Sequence, residues 1–196
     1  MSTETFIRRY NIPDVTLCDE IIKWFEDHPE KQGTGVVQSR EGKPIVNKDY
    51  KDGTCISVND INYAYTQPPL RSFLIWLWDC VNLYLEDFPE LKNSCFAMRE
   101  GFNIQRFLPP SQGFKVFHHE RISYQVCPRL LVFMLYLNDV EDKGGTEFKY
   151  YNHVEKAQRG KLLIWPTDFT HTHRGVVSPT EKKYIITGWY GLIPAE

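Results

Sequence analysis

Residues 129–148 read RLLVFMLYLNDVEDKGGTEF, and this stretch decides the fold class. Its apolar run from Leu130 to Leu137 is the longest in the chain, and the polar, glycine-containing segment that follows is typical of a turn. The run suits a buried strand and falls far short of the ~20 apolar residues that span a bilayer. We therefore predict a strand, a turn and a second strand that begins at Thr146, and no membrane segment.

Further strand-like segments lie on both sides of this stretch. Each is short, rich in apolar or aromatic residues and bounded by Gly, Pro or charged residues. They are GFNIQRFL (101–108), FKVFHHE (114–120), GKLLIWP (160–166), FTHTHRGVV (169–177) and KKYIITGWYGL (182–192). Six or seven strands in about 95 residues predict a barrel or a sandwich.

The N-terminal half has a different pattern. LCDEIIKWFEDH (17–28) carries a helical apolar stripe that Pro29 ends, and residues 70–87 predict a longer helix with one broad buried face. Residues 32–66 mix polar residues with short apolar pieces and predict loops and short strands, with a lid over a site as one role. We expect a single domain, 1–196, with a helical and lid part at 1–100 and a β core at 101–196.

Composition narrows the class of protein. The 14% aromatic content predicts a well-buried core, in which we place Trp76, Trp78 and Trp165. The net charge of −2 and the lack of a basic stripe argue against a nucleic-acid partner. Five cysteines without a C-x-x-C pair, and a start without an apolar core, predict a cytoplasmic protein with free thiols.

Three histidines precede an acidic residue by two positions. These pairs are His28/Glu30, His118/Glu120 and His153/Glu155. Side chains at positions i and i+2 of a strand point to the same face, so such a pair can occupy two adjacent coordination positions on one metal ion. A histidine from another strand would complete the 2-His-1-carboxylate arrangement of non-haem iron oxygenases.

The surroundings of the three pairs differ. His28 ends the first predicted helix, which indicates a solvated helix end, and His153 lies in a polar stretch, which indicates a surface turn. His118 closes the apolar strand FKVFHHE, and His171 and His173 follow 53 and 55 residues later in another predicted strand. The pair at His118 is therefore the candidate metal site, with structural histidines as the alternative.

The region from about residue 102 to residue 190 resembles the catalytic core of the 2-oxoglutarate/Fe(II)-dependent dioxygenases. QRFLPPSQGFKVFHHE (105–120) is similar to the strand and glycine loop that lead into the family's H-x-D/E motif. LYLNDVEDKGGTEF (135–148) is similar to the family's core hairpin. The order of these motifs is more specific than any one of them.

Two further features of the resemblance lie near the end of this region. HRG, residues 173–175, resembles the family's distal histidine and the arginine after it, and Lys183 follows His173 by ten residues, as the family's basic residue does. The whole set resembles the prolyl-4-hydroxylase-like branch, which includes small stand-alone members in bacteria and their phages. A phage origin would place the protein in the host cytoplasm. The resemblance implies a mainly β fold, a double-stranded β-helix (jelly roll) with N-terminal helices packed on the outer face of one sheet.

The resemblance implies that His118, Glu120 and His173 bind iron. Glu120 departs from the family, which more often has Asp there, but the longer side chain can still supply one oxygen. His171 is the rival for the distal position because it shares strand parity with His173. Only His173 has the following arginine and the lysine ten residues later, so His171 is interpreted as a neighbour of the site. His119 should face away from His118.

The resemblance also implies a set of side chains that hold 2-oxoglutarate. Lys183 would pair with the far carboxylate, because a lysine that heads an inward-facing row is costly to bury without an anion. The alternative places Lys183 at the solvent end of its strand. Thr146 and Tyr136 carry hydroxyls that could bind the same carboxylate, with ordinary packing as their alternative. We expect Lys182 to be exposed and Arg174 to point outward.

The implied function is Fe(II)- and 2-oxoglutarate-dependent hydroxylation of an unactivated C–H bond with O2, with ascorbate as a candidate reductant. A prolyl residue in a peptide or protein is the family-level expectation for the primary substrate, while a free amino acid or another small molecule stays open. One alternative is a non-catalytic β-helix binding module. The other is a cupin-like metal enzyme that does not use 2-oxoglutarate.

Overall fold

The computed structural model describes residues 5–39 and 41–194. Its helices are α1 Thr16–Glu26, α2 Ile61–Thr66 and α3 Pro68–Asp87. Its strands are β1 Arg8–Asn11, β2 Gly33–Thr34, β3 Val37–Gln38, β4 Pro44–Ile45, β5 Lys51–Asp52, β6 Thr54–Val58, β7 Phe96–Ala97, β8 Phe102–Phe107, β9 Gly113–Phe114, β10 Arg129–Tyr136, β11 Thr146–Phe148, β12 His153–Glu155, β13 Lys161–Pro166, β14 His173–Gly175 and β15 Lys183–Leu192.

The strands form one large and one small antiparallel sheet. In the large sheet the order is β1-β13-β10-β15-β8-β6-β2, and β7 also pairs with β15. The small sheet has the order β12-β11-β14, and two short pairs, β3-β4 and β5-β9, lie outside both sheets. The turn between β10 and β11 therefore carries the chain from the large sheet to the small one.

Side chains of β10 point alternately to its two faces, and each face belongs to a different hydrophobic core. One face packs against the helices and carries Leu131, Phe133 and Leu135. The other face points into the space between the sheets and carries Val132, Met134 and Tyr136. Both faces are buried, which explains why the run is continuously apolar instead of alternating with polar residues. Full burial of each large side chain contributes roughly 1.5–3 kcal/mol to stability.

Helices α1 and α3 cover the outer face of the large sheet. Phe73 of α3 contacts Phe102 and Phe133 of the sheet, with ring centroids 5.8 and 6.1 Å apart. The predicted second helix begins two residues early, at Pro68, because proline fits the first helical turn, where no N–H partner is needed. None of the described helices is long and apolar enough to cross a membrane.

The tryptophans only partly follow the prediction. Trp165 is buried between the sheets, and Trp76 is partly buried against the helix-side core. Trp78 lies on the outer face of α3 and is 48% exposed, so its assignment to the core is wrong. The helix is apolar over more than the face that meets the sheet, and sequence spacing alone does not show where that contact ends.

The N-terminal half contributes strands to the large sheet as well as helices. β6 pairs with β8 and β2 pairs with β6, so the loop segment at 32–66 extends this sheet. The division between residues 100 and 101 stays a prediction.

The polar stretch at His153 also folds differently from the prediction. It forms strand β12, and Glu155 is 4% exposed and lies 2.7 Å from His153 and 3.7 Å from Lys161. The surface-turn interpretation of this pair is wrong, because pairing with β11 buries the Glu155 carboxylate, which forms ion pairs with Arg9 and Lys161.

Candidate metal centre

The backbones of His118 and His173 pair directly. Each residue donates its N–H to the other's carbonyl oxygen, both at 2.9 Å, in an isolated antiparallel bridge. The predicted strand 114–120 is interrupted: Phe114 ends β9, and His118 forms this isolated bridge. The backbone N–H of Lys115 donates to Tyr50 and that of Glu120 to Thr167, so the segment has no single continuous partner. The pairing brings the segment after β9 against the first residue of β14.

Three side chains converge at this bridge. One potential ligand atom from each of His118, Glu120 and His173 lies within 4.8 Å of the other two. The Nε2 atoms of His118 and His173 are 3.5 and 3.4 Å from Oε1 of Glu120. Two imidazole nitrogens and one carboxylate oxygen that face a common point are a donor set suited to non-haem Fe(II).

Both imidazoles are oriented through Nδ1. His118 Nδ1 lies 3.0 Å from the carbonyl oxygen of Val116, and His173 Nδ1 lies 2.9 Å from that of His171. A carbonyl only accepts, so Nδ1 carries the proton and Nε2 is left with a free lone pair. Burial, with a contribution from His173, lowers the pKa of His118 to about 3, and burial also lowers the pKa of His173. Both rings are therefore neutral at physiological pH, as metal binding requires.

Glu120 is held through its other oxygen. Trp189 Nε1–H donates to Oε2 at 2.9 Å, and Arg129 Nη1 lies 3.5 Å from the same atom. Arg129 is itself fixed by Glu100, at 2.5 and 2.9 Å, and lies 3.7 Å from the Trp189 ring centroid. Burial opposes ionisation of Glu120, but electrostatic interactions with His118, His173 and Arg129 and the hydrogen bond from Trp189 outweigh it and lower its pKa. Oε1 stays directed at the two imidazoles, so the longer glutamate fits the donor set.

His171 is not part of this cluster. It ends a 3-10 turn, Phe169–His171, instead of lying in a strand, so the argument from strand parity is wrong. Its Nε2 lies 2.8 Å from the carbonyl oxygen of Thr5 and 3.1 Å from the Tyr151 hydroxyl. Its link to the site is the backbone carbonyl that orients His173.

A cavity of about 1250 Å³ opens beside the cluster. Strands of the large sheet, among them β6, β8, β10 and β15, line it, and so do the short strands β3, β4 and β5. Phe148 and Trp165 pack around His173, with centroids 5.7 and 5.1 Å from its ring, and they give that side an apolar surface. His119 also lines the cavity, and its buried Nδ1 has no hydrogen-bond partner among the described residues.

Lys183 reaches this cavity from β15 as a buried cation. It is 4% exposed, and its Nζ donates to the carbonyl oxygens of Gly144 and Val176 at 2.8 and 3.3 Å. No carboxylate of the described residues pairs with it, and burial lowers its pKa to about 8. Nearby, the hydroxyls of Tyr136 and Thr146 lie 2.6 Å apart, and both residues line the cavity. The set fits an anionic ligand such as a dicarboxylate.

The other side chains singled out in the sequence lie outside this set. Lys182 is exposed, as predicted. Arg174 pairs with Glu147 at 2.7 Å and lies 4.5 Å from the Phe117 ring centroid, so it supports the small sheet.

Sequence reasoning missed Arg129, Trp189 and Lys51. Trp189 lies an even number of positions after Lys183 on the same predicted strand, so its side chain points to the same inward face. This spacing could have identified it from the sequence. Arg129 and Lys51 carry no comparable signal, because their positions depend on contacts between distant segments.

The fold and the cluster define the class of protein: a jelly roll with a 2-His-1-carboxylate centre between its sheets. Residues 102–191 match the model of the 2OG-Fe(II) oxygenase superfamily, whereas no curated protein matches the chain. The match assigns residues 102–191, a little under half of the chain, to that superfamily, which uses Fe(II), 2-oxoglutarate and O2.

Solved structures with similar folds include three prolyl hydroxylases. The viral collagen prolyl hydroxylase from Paramecium Bursaria Chlorella virus-1, solved with 2-oxoglutarate, has a TM-score of 0.62 at 13% identity, and the match covers 96% of this chain and 97% of that one. The Pseudomonas putida prolyl-4-hydroxylase has a TM-score of 0.65 at 14% identity, and the match covers 97% of this chain and 94% of that one. The Trichoplax adhaerens prolyl hydroxylase was solved with a hypoxia inducible factor peptide fragment. It has a TM-score of 0.69 at 14% identity, and the match covers 95% of this chain and 84% of that one. The predicted family and the double-stranded β-helix fold are confirmed.

We expect His173→Ala to abolish detectable Mn(II) binding while the fold survives, because the change removes one ligand and leaves the backbone bridge intact. His171→Ala is the matched control and should keep measurable affinity, because its carbonyl still orients His173. Isothermal titration with Mn(II), with circular dichroism as a check on folding, measures both. Loss of the metal in His171→Ala but not in His173→Ala would reverse the assignment.

We expect Trp189→Phe to weaken Mn(II) binding by roughly tenfold, because Oε2 of Glu120 loses its closest donor and the carboxylate becomes less well oriented. Phenylalanine keeps a ring beneath Arg129, so packing changes little. Trp78→Phe, at an exposed position, is the control and should bind Mn(II) as the wild type does. Equal affinities in the two variants would show that the indole N–H does not orient the ligand.

Proposed function

We propose that this enzyme hydroxylates an unactivated C–H bond of a prolyl residue in a peptide or protein. His118, Glu120 and His173 would hold Fe(II), and Lys183, with Tyr136 and Thr146, would hold 2-oxoglutarate. The observation that carries the proposal is the His-Glu-His donor set, with two neutral imidazoles and an ionised carboxylate, in the same cavity as a buried lysine that lacks an acidic partner. With both groups bound, the centre couples O2-dependent conversion of 2-oxoglutarate to succinate and CO2 with insertion of the second oxygen atom into the C–H bond.

The contribution of the chain is binding, orientation and exclusion of water. The carbonyls of Val116 and His171 fix the two imidazoles, and Trp189 fixes Glu120, so the three donors need little reorganisation when a metal binds. The Lys183 ammonium provides a charge-assisted contact for a carboxylate in a site where water competes poorly. The rings near His173 keep that part of the cavity apolar.

Two observations support a prolyl peptide as the substrate class. The similar structures are those of prolyl hydroxylases, and one of them was solved with a peptide. The cavity, at about 1250 Å³, is larger than the ~300–1000 Å³ typical of small-molecule sites. It has room for a peptide segment beside the co-substrate.

The decisive experiment measures succinate release and product mass with Fe(II), ascorbate, 2-oxoglutarate and a panel of prolyl peptides, free proline and other free amino acids. We expect turnover and the gain of one oxygen atom with prolyl peptides, and neither with His173→Ala. Turnover only with free amino acids would contradict the peptide assignment. Activity without 2-oxoglutarate would favour a cupin-like enzyme, and the absence of both turnover and 2-oxoglutarate binding would favour a binding module.

We expect Lys183→Met to weaken 2-oxoglutarate binding about tenfold or more, because it removes a charge-assisted contact, and to leave Mn(II) binding nearly intact. The lowered pKa of Lys183 means that its ammonium loses its proton as pH rises through about 8. Wild-type affinity for 2-oxoglutarate should therefore fall above pH 8, and this pH dependence should be absent from Lys183→Met. Titration at pH 7 and pH 9, with Lys182→Met as the exposed control, tests both expectations. A pH profile shared by all three proteins would rule out Lys183 as the anchor.

A further inference from the structure

A second buried lysine lines the same cavity, and it comes from the N-terminal half of the chain. Lys51 lies in β5 and is 8% exposed. Its Nζ is 5.7 Å from the ring centroid of Phe114, and that ring stacks on His118 with centroids 3.6 Å apart and planes 5° from parallel. The ammonium of Lys51 therefore lies near the aromatic ring that stacks on a histidine of the metal centre.

Lys51 has no acidic partner in the described part of the chain. Its side chain makes no ion pair and donates no hydrogen bond there. The three glutamates that line the cavity are already engaged: Glu120 by Trp189, Glu100 by Arg129, and Glu41 by another partner. An ammonium buried without a partner is costly, and burial accordingly lowers the pKa of Lys51. An anionic ligand would offset this cost.

The local backbone fixes Lys51 in this position. Its N–H donates to the carbonyl oxygen of Asn47 at 2.9 Å, and β5 pairs with β9 in a register that sets Lys51 opposite Phe114. Gly35 lies against the lysine stem, and a Cβ there would be 3.1 Å from Lys51 Cε. Glycine therefore leaves the room that the stem occupies.

The anion for Lys51 is distinct from 2-oxoglutarate in the proposed function. That function, on which this inference rests, already assigns one end of the co-substrate to the metal centre and its far carboxylate to Lys183. Lys183 lies on β15 of the large sheet, whereas Lys51 lies on β5, which pairs with β9 outside that sheet. The remaining ligand of the cavity is the primary substrate.

We propose that Lys51 binds a carboxylate of the primary substrate and thereby selects prolyl peptides with Asp or Glu next to the target proline. The size of the cavity favours a peptide over a free amino acid, whose own carboxylate offers the same chemistry. Lys51 is a specificity-determining residue in this proposal, and it has no role in binding the metal or 2-oxoglutarate.

The test compares peptides that differ in one charge. Acetylated and amidated prolyl peptides carry Glu, Gln or Lys at the position before or after proline, and free proline is a separate arm. We expect wild-type kcat/KM for succinate release to favour a Glu peptide over its Gln counterpart by about tenfold or more. Lys51→Met should remove this preference, Lys51→Arg should keep it, and Lys48→Met, at an exposed position of the same segment, should match the wild type.

Other results would overturn the proposal. They are a Glu preference that survives in Lys51→Met, no Glu preference in the wild type, an effect of Lys51→Met on the 2-oxoglutarate KM alone, or a carboxylate preference confined to free proline. Failure of the proposed function looks different, because the wild type then releases no succinate with any peptide. In that case titration of the Mn(II)- and 2-oxoglutarate-loaded proteins with the Glu and Gln peptides decides. Selective binding of Glu peptides that Lys51→Met loses supports the role of Lys51, and equal or absent binding refutes it.

Discussion

The two backbone hydrogen bonds between His118 and His173 are the constraint on which the site depends. They join the segment after β9 to the start of β14. They also set the two imidazole rings side by side, with centroids 4.4 Å apart, next to the carboxylate of Glu120. Side chains alternate between faces along extended backbone, so a slip of one residue would present His119 or Arg174 to Glu120 instead. The rest of the fold keeps this register: β14 pairs with β11, and the N–H of Glu120 is held by Thr167.

In the described part of the chain, three charged side chains are buried at the cavity, and each has different surroundings. Glu120 receives an indole N–H and a guanidinium, so its ionised form is stabilised. Lys183 has only carbonyl oxygens, which solvate an ammonium without neutralising it. Lys51 has no polar side-chain partner in the described residues. Because charges interact strongly where water is excluded, these two lysines favour anions in the cavity.

The family and the main strands could be predicted because their signals are local. The apolar run of β10, the spacing from His118 to Glu120 and the inward parity of Lys183 are each contained in a few consecutive residues. The predictions were wrong where the outcome depended on contacts with a distant segment. The polar stretch at His153 became a strand because β11 was available to pair with it. Trp78 remained exposed because α3 meets the sheet through another part of its apolar surface.

The sequence by itself determined which residue types could form a metal centre and how they alternate along their strands, since backbone geometry fixes the direction of neighbouring side chains. Only the tertiary structure decided which of two nearby histidines joins the cluster, because the 3-10 turn before Thr172 turns His171 towards Thr5 and leaves His173 opposite His118. It also brought Arg129 to Glu120 and Lys51 to Phe114. Such contacts depend on the pairing register of distant segments, and no pattern within a single segment encodes that register.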